Sequence, residues 1–391
     1  MIWVNTPALF DLSKEERARL VNFNQVLNSG ELFRYREDGA QSMCKQLEDQ
    51  FACHFGKDAA VAVVNGTAAT RLALSALGVG PGDRVLVSAY SFIACAMTIV
   101  GIGAIPVPMD MSHLLHLDLA SASRQIEGVS AVLAVHVRGH AFPMAGLRRV
   151  CDEVGVPLIE DACQAVGASS SDGRAGSVAD VVVTSFQQSK QVSTGEGGLV
   201  SGPLSMVERA YRLADLGAVR RAGRPDWDDD SAVVGENLRL TELQAALALD
   251  QLQALPHTIE RQRAVRRWLW GDLFDRVQPI RSQSPALDSG AHTLLLATTP
   301  KSARAFCSEL ASSGVLAAVV WPRTYMEFAV MKREPSVKAG VRIGGWPSLS
   351  SSLAPRIVGL TVSKYADARA LERVADAVNR NADLLEDPRG Q

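Results

Sequence analysis

Between residues 59 and 201 the chain alternates short apolar runs with longer segments whose apolar positions recur at helical spacing. The runs at 60–64, 84–87, 105–108, 131–136, 157–160, 181–186 and 199–201 are rich in Val, Ile, Leu and Ala. Several have no polar alternation, which suits strands covered on both faces. Helices are predicted at 68–77, 93–100, 144–154 and 206–216. This β-α alternation predicts an α/β fold built on an open, mostly parallel sheet.

Residues 220–230 carry Gly223, Pro225 and the acidic run Asp228-Asp229-Asp230, a pattern expected to form a loop with a solvated face. Thr241 is a plausible cap for a long helix over 242–274, with an interruption expected near Pro256. Ser-rich turns are expected at 348–352 and an amphipathic helix at 366–385. The organisation expected is a large domain over 1–255 and a smaller α+β domain over 256–391.

One stretch changes the picture only briefly. No charged residue occurs from 85 to 109, a length that could span a bilayer, but Gly101, Gly103, Pro106 and Pro108 divide it. A buried strand–helix–strand passage accounts for it better. The 391 residues are 47% hydrophobic and 21% charged, as in soluble two-domain proteins. Forty basic and forty-two acidic residues leave a formal charge of -2, which is no footprint for nucleic acid or an anionic membrane. The six cysteines form no CxxC pair and lack His at zinc-ligand spacing. The opening residues 1–5 lack the basic and apolar regions of a signal peptide, so a cytoplasmic protein with reduced thiols and no metal site is expected.

Candidate chemistry begins at Lys190, in Ser185-Phe186-Gln187-Gln188-Ser189-Lys190, between an apolar strand and Gly195-Glu196-Gly197-Gly198. Ligand sites of α/β sheets form beyond the carboxyl ends of such strands, although a lone loop lysine is most often an ordinary surface residue. Asp161 ends another strand, where a carboxylate needs a positive partner. A protonated pyridine nitrogen would serve, and so would a structural salt bridge or a helix cap. Asn65-Gly66-Thr67-Ala68-Ala69 joins a strand to a helix. Its backbone N–H groups and the Thr67 hydroxyl suit a phosphate, and the motif is equally suited to plain capping. Ser185 ends a strand and is a further phosphate candidate. Gly78-Val79-Gly80-Pro81-Gly82-Asp83 precedes a strand instead of opening a helix, so it is a turn and not a dinucleotide fingerprint.

In order, these motifs resemble the sugar and cyclitol aminotransferases of the DegT/StrS type, a branch of the fold-type I pyridoxal-phosphate enzymes. The resemblance also takes in Ala89-Tyr90-Ser91-Phe92-Ile93-Ala94, Glu160-Asp161-Ala162-Cys163-Gln164 and Gly235-Glu236-Asn237-Leu238-Arg239, and covers roughly residues 25 to 255. It implies that Lys190 holds pyridoxal 5'-phosphate as a Schiff base and that Asp161 faces the ring nitrogen. Phe92 would stack on the ring and Gln164 would approach its 3-oxygen side, while Gly66, Thr67, Ala68 and Ser185 hold the phosphate. Asn237 would reach the cofactor phosphate of a neighbouring subunit, giving a homodimer with shared sites, with the 220–230 passage near the interface.

The activity implied is transfer of an amino group from glutamine or glutamate to a keto-cyclitol or keto-sugar. A dehydratase or aromatising enzyme resembling aminohydroxybenzoate synthases is the alternative, as is a non-catalytic regulator keeping the fold. Gln187 and Leu32-Phe33-Arg34-Tyr35 lean toward the cyclitol and aminohydroxybenzoate branch. Glu236 stands where the family usually has an aromatic, which bears on what approaches the phosphate or the substrate. Arg34, Tyr35, His136, Arg138 and Trp346 are possible acceptor contacts, each more readily a core or surface residue.

Overall fold

The apolar runs do become strands: β1 (Ala59–Val63), β2 (Arg84–Ser88), β3 (Ile105–Met109), β4 (Ala131–Val135), β5 (Leu158–Asp161), β6 (Val181–Ser185) and β7 (Gly198–Gly202). They are seen in a computed structural model that describes residues 20–35, 41–221, 224–274, 276–360, 362 and 366–386. The opening residues 1–5 and positions 222–223 lie outside the described residues. Among the described residues the strands form one seven-stranded sheet in the order β1-β7-β6-β5-β4-β2-β3. The pairs from β6 across to β3 are parallel, and β7 is antiparallel to both its neighbours.

Period-2 alternation sends successive side chains of each strand to opposite faces. Val85, Val87, Leu133, Val181 and Val183 pack on one face with Leu72 and Ala73 of α3 (Gly66–Ala76) and Ile99 of α4 (Ala94–Gly101). On the other, Leu86, Val132, Ala134 and Leu158 meet Leu147 and Cys151 of the helix Ala145–Val154. Both faces are covered, so the strands carry no polar alternation. The uncharged 85–109 stretch is therefore β2, α4 and β3, and no helix among the described residues is long and apolar enough to cross a membrane.

Two helices were absent from the pattern read above: α1 (Val21–Ser29), and α2 (Met43–Phe55), capped by the Ser42 side chain and closed by left-handed Gly56. The helix Glu242–Trp268 runs through Pro256 instead of breaking there, and ends in a π-turn over Leu269–Leu273. Pro256 is exposed, while Leu255, Thr258, Ile259 and Gln262 are buried, and that packing carries the helix past one missing hydrogen bond. The passage expected as a loop at 220–230 contains a hairpin, Val219–Arg221 against Arg224–Asp226. The Ser-rich segment at 348 is a short helix, Ser348–Leu353, not a turn.

The last third builds a three-stranded antiparallel sheet, Thr293–Leu296, Ala317–Val319 and Ile357–Leu360, with the last in the middle. Phe306 and Leu310 of the helix Pro300–Ser312, and Leu371 and Val378 of the helix Ala368–Arg380, close its core. The architecture is α/β, a large mostly parallel sheet followed by a smaller α+β part.

Candidate active site

The parallel strands β2, β4, β5 and β6 release their chain at one edge of the sheet, and β1 points the same way because two antiparallel pairings restore its direction. With β3, which is parallel to β2, six connections therefore leave at that end: those that begin at Val64, Ala89, Asp110, His136, Ala162 and Phe186. This is where open α/β sheets place ligands.

Asp161, the last residue of β5, is 5% exposed. Its Oδ1 accepts from the Cys163 N–H at 2.8 Å and its Oδ2 from the Cys95 thiol at 3.3 Å. It makes no ion pair among the described residues. Lys190 is partly buried and likewise has no side-chain hydrogen bond or ion pair among them. Burial drives its amine below the ordinary lysine range. Cys163 and Asp161 oppose that shift, and the charge of Arg138 adds to it. Burial pushes the thiols of Cys95 and Cys163 well up.

The N-terminus of α3 abuts the same place. A β-carbon on Gly66 would lie 2.8 Å from the Ser185 Cβ and 3.3 Å from the Cys163 Sγ. One on Gly198 would lie 2.5 Å from the Asn65 carbonyl, so Gly198 lets the strand pass directly beneath the cap. Asn65 accepts from the Ala68 N–H at 2.8 Å. The Gly66 and Thr67 N–H groups precede any acceptor within the helix. Sequence reasoning left capping and anion binding as alternatives for this motif. Capping is present, and it uses the Ala68 donor.

Phe92 is 42% exposed and its ring lies 6.4 Å from that of Trp321. The Gln164 Oε1 accepts from the Arg138 N–H at 2.9 Å, and its carbonyl accepts from Gln191 Nε2 at 3.3 Å. Asn237 is exposed and bridges to Asp215, the residue just past the helix Leu204–Ala214, and no hydrogen bond joins its side chain to the other candidates among the described residues. Glu236 pairs with Arg71 at 2.8 Å on the surface.

The structure thus brings together Lys190, Asp161, Ser185 and Gly66, with Gln164 and Phe92 beside them. Other candidates go elsewhere. Arg34 pairs with buried Glu48 at 2.8 Å, Tyr35 donates to Asp215 at 2.5 Å, and His136 meets Glu160 at 2.6 Å inside the core. Trp346 is half exposed. Sequence reasoning missed Trp321, which the small sheet contributes, and His292, whose imidazole burial holds neutral near Lys190 and Arg138. Trp321 follows the apolar run 315–320, the only local signal it carries.

The family model described as the DegT/DnrJ/EryC1/StrS aminotransferase family matches residues 13–379, and the chain belongs to that family. It is 36% identical over 223 residues to the GDP-perosamine synthase of Vibrio cholerae, covering 56% of this chain and 59% of that protein. It is also 36% identical over 239 residues to the L-glutamine:2-deoxy-scyllo-inosose aminotransferase of Streptoalloteichus tenebrarius, covering 59% of this chain and 55% of that one. The match therefore spans little more than half the length of these curated relatives. Among solved structures, 3-amino-5-hydroxybenzoic acid synthase superposes with TM-score 0.81 at 27% identity, covering 96% of this chain and 98% of that one. DesV of S. venezuelae, solved with a ketimine intermediate, gives 0.81 at 26%, covering 95% and 96%.

Proposed function

We propose that this chain is a pyridoxal 5'-phosphate-dependent aminotransferase that carries an amino group from glutamine or glutamate to a ketone on a cyclitol or sugar. The observation that carries this reading is the pair at the sheet edge: an amine depressed by burial at Lys190, beside the buried, cation-free carboxylate of Asp161. The glutamine-dependent relative supports the donor, and the perosamine and inosose relatives support the acceptor class.

The described residues fit the cofactor. Asp161 lacks a cation, which a protonated pyridine nitrogen supplies. The space a Gly66 side chain would fill adjoins Ser185 and the first N–H groups of α3, a cradle for phosphate. When bound, the cofactor supplies the aldehyde carbon and the electron sink. Lys190 is the residue that bonds to it. The Lys190 amine, once free, would move a proton at the donor α-carbon, a task suited to an amine below its ordinary basicity. Asp161 keeps the ring nitrogen charged. Phe92 would cover the ring and Gln164 would approach its 3-oxygen side, while Gly66, Thr67, Ala68 and Ser185 would hold the phosphate, Ala68 by releasing its N–H from the Asn65 cap. Asn237 of the partner subunit would complete that cradle in a cytoplasmic homodimer, with 220–230 near the interface. The division into domains at 255/256 also belongs to this reading, with the helix Glu242–Trp268 passing from one to the other.

A second reading, an aromatising enzyme forming an aminohydroxybenzoate, is favoured by one observation: the 3-amino-5-hydroxybenzoate synthase of Amycolatopsis mediterranei is 34% identical over 274 residues, 68% of this chain and 66% of that protein. The test is a single half-reaction. Holoenzyme given L-glutamine or L-glutamate without an acceptor should release about one 2-oxo acid per site, as expected for nucleophilic catalysis split into two halves. No release from either would overturn the aminotransferase reading. Loss of water from an added keto-cyclitol, detected by mass, would favour the aromatising one.

A further inference from the structure

Among the described residues, Arg138 is a cation without a counterion. It lies three residues beyond β4, in His136-Val137-Arg138-Gly139, with φ 55° and ψ 26°. That is left-handed backbone, which a long side chain adopts only at a cost and which collects at functional sites. The backbone is held there by the Arg138 N–H bond to Gln164 Oε1 at 2.9 Å. The guanidinium carbon lies 5.2 Å from the centre of the Trp321 ring, which itself meets Tyr90 edge-on at 5.2 Å. The buried Nε has no hydrogen-bond partner, and among the described residues the side chain makes no ion pair. Burial pulls its pKa down, and its charge reaches Lys190 and His292. Two arginines that are fully buried are treated differently: Arg34 has Glu48 at 2.8 Å and Arg266 has Asp288 at 3.4 Å. A buried charge normally requires such a partner.

What would supply the missing anion follows from the geometry of amine exchange, and so rests on the reading above. A donor nitrogen must take the place of the Lys190 nitrogen, and an amino acid carries its carboxylate two bonds from that atom. A planar guanidinium beside Lys190, steadied on an aromatic ring, matches a carboxylate in a two-point contact. We propose that Arg138 is a specificity-determining residue that binds a substrate carboxylate beside Lys190, belonging to the amino donor or to an acidic acceptor.

The test uses holoenzyme and three proteins: the natural chain, Arg138→Gln and Arg138→Lys. Glutarate, a carboxylate with no amine, is titrated by calorimetry, with melting temperature recorded alongside. Arg138→Gln should weaken glutarate by on the order of 10- to 100-fold, as for loss of a charged hydrogen-bond pair, with Arg138→Lys in between. Melting should be unchanged or higher in Arg138→Gln, since an unpaired buried charge has gone. Half-saturating concentrations then separate the sources: a rise confined to glutamine assigns the carboxylate to the donor, and one confined to an acidic acceptor assigns it there. Glutarate affinity and half-saturation unchanged in Arg138→Gln would overturn the proposal, as would a lowered melting temperature with glutarate binding intact. Should the natural holoenzyme release no 2-oxo acid, the aminotransferase reading falls, while the glutarate titration still decides the role of Arg138.

Discussion

Two regions of this protein bury charge, and they handle it in opposite ways. Around Asp215 everything is paired: its carboxylate accepts from Tyr35 at 2.5 Å, from Arg220 at 2.6 and 2.9 Å and from Arg239 at 2.5 Å. Tyr211 donates to Tyr35 at 2.6 Å, and the Arg220 guanidinium lies 4.0 Å from the Tyr35 ring centre. Burial pushes the Asp215 acid up, and the bonds from Arg220, Tyr35 and Arg239 outweigh it, leaving the acid below its ordinary range. At the sheet edge, Lys190, Arg138 and Asp161 have no ion pairs among the described residues, although each is wholly or partly buried. The first network is complete as it stands, as a structural network must be. The second is left incomplete by the described residues. Unpaired charge marks the site better than charge does.

The comparison breaks or sharpens at single residues. The largest effect expected is from Lys190→Ala, which should lower turnover by at least about 10⁴-fold and abolish dialysis-resistant visible absorbance. Its urea midpoint without cofactor should not fall, since the residue has no partner to lose. Asp215→Ala should do the reverse, destabilising by about 3–5 kcal/mol because two arginines lose their anion, and urea denaturation measures it. Asp161→Ala comes next, with a rate loss of roughly 10²- to 10³-fold for removal of one preorganised electrostatic contact. Steady-state kinetics at saturating cofactor reads it. Equal stability losses for Asp161→Ala and Asp215→Ala would erase the contrast between the two regions.

The smallest effect concerns pH. Burial holds His116 down to about 4 and His140 to about 3, against an ordinary 6.5. The unfolded chain takes up these protons below pH 6.5 while the folded chain does not, so their contribution to stability is complete above that value. It is lost progressively as pH falls toward 4 and 3. The urea midpoint should therefore be lower at about pH 5 than at about pH 7.5, and His140→Gln should flatten part of that slope.

The sheet was legible because buried parallel strands leave unbroken apolar runs, and all the runs at 60–64 through 199–201 became strands within a residue or two. The helix Met43–Phe55 was legible too, with Ser42 as cap, Leu47, Phe51 and Phe55 on one face, and Gly56 as stop, but it went unread. Pro256 misled because local chain chemistry favours a break, while burial of Leu255 and Ile259 decides otherwise. At the site, Asp161 ends a strand, and Gly66 and Lys190 lie on connections that leave strands the sequence pattern marks, so their convergence was foreseeable. Trp321 and His292 come from the other sheet, and the empty side of Arg138 is a matter of what three-dimensional packing leaves out. No spacing rule in one sequence reports an absence of that kind.

Lys190 sits on a connection, not on a strand. Phe186 donates to the Gly197 carbonyl at 2.8 Å, Thr194 to the Phe186 carbonyl at 2.9 Å and Gln188 to the Gly195 carbonyl at 3.0 Å, so the hairpin from β6 to β7 is stitched shut near its base. A side chain mounted on such a clasp can swing away from a bound group and come back without loosening a single rung of the ladder beneath it. Under the proposed chemistry the scaffold would stay still while Lys190 alone moves.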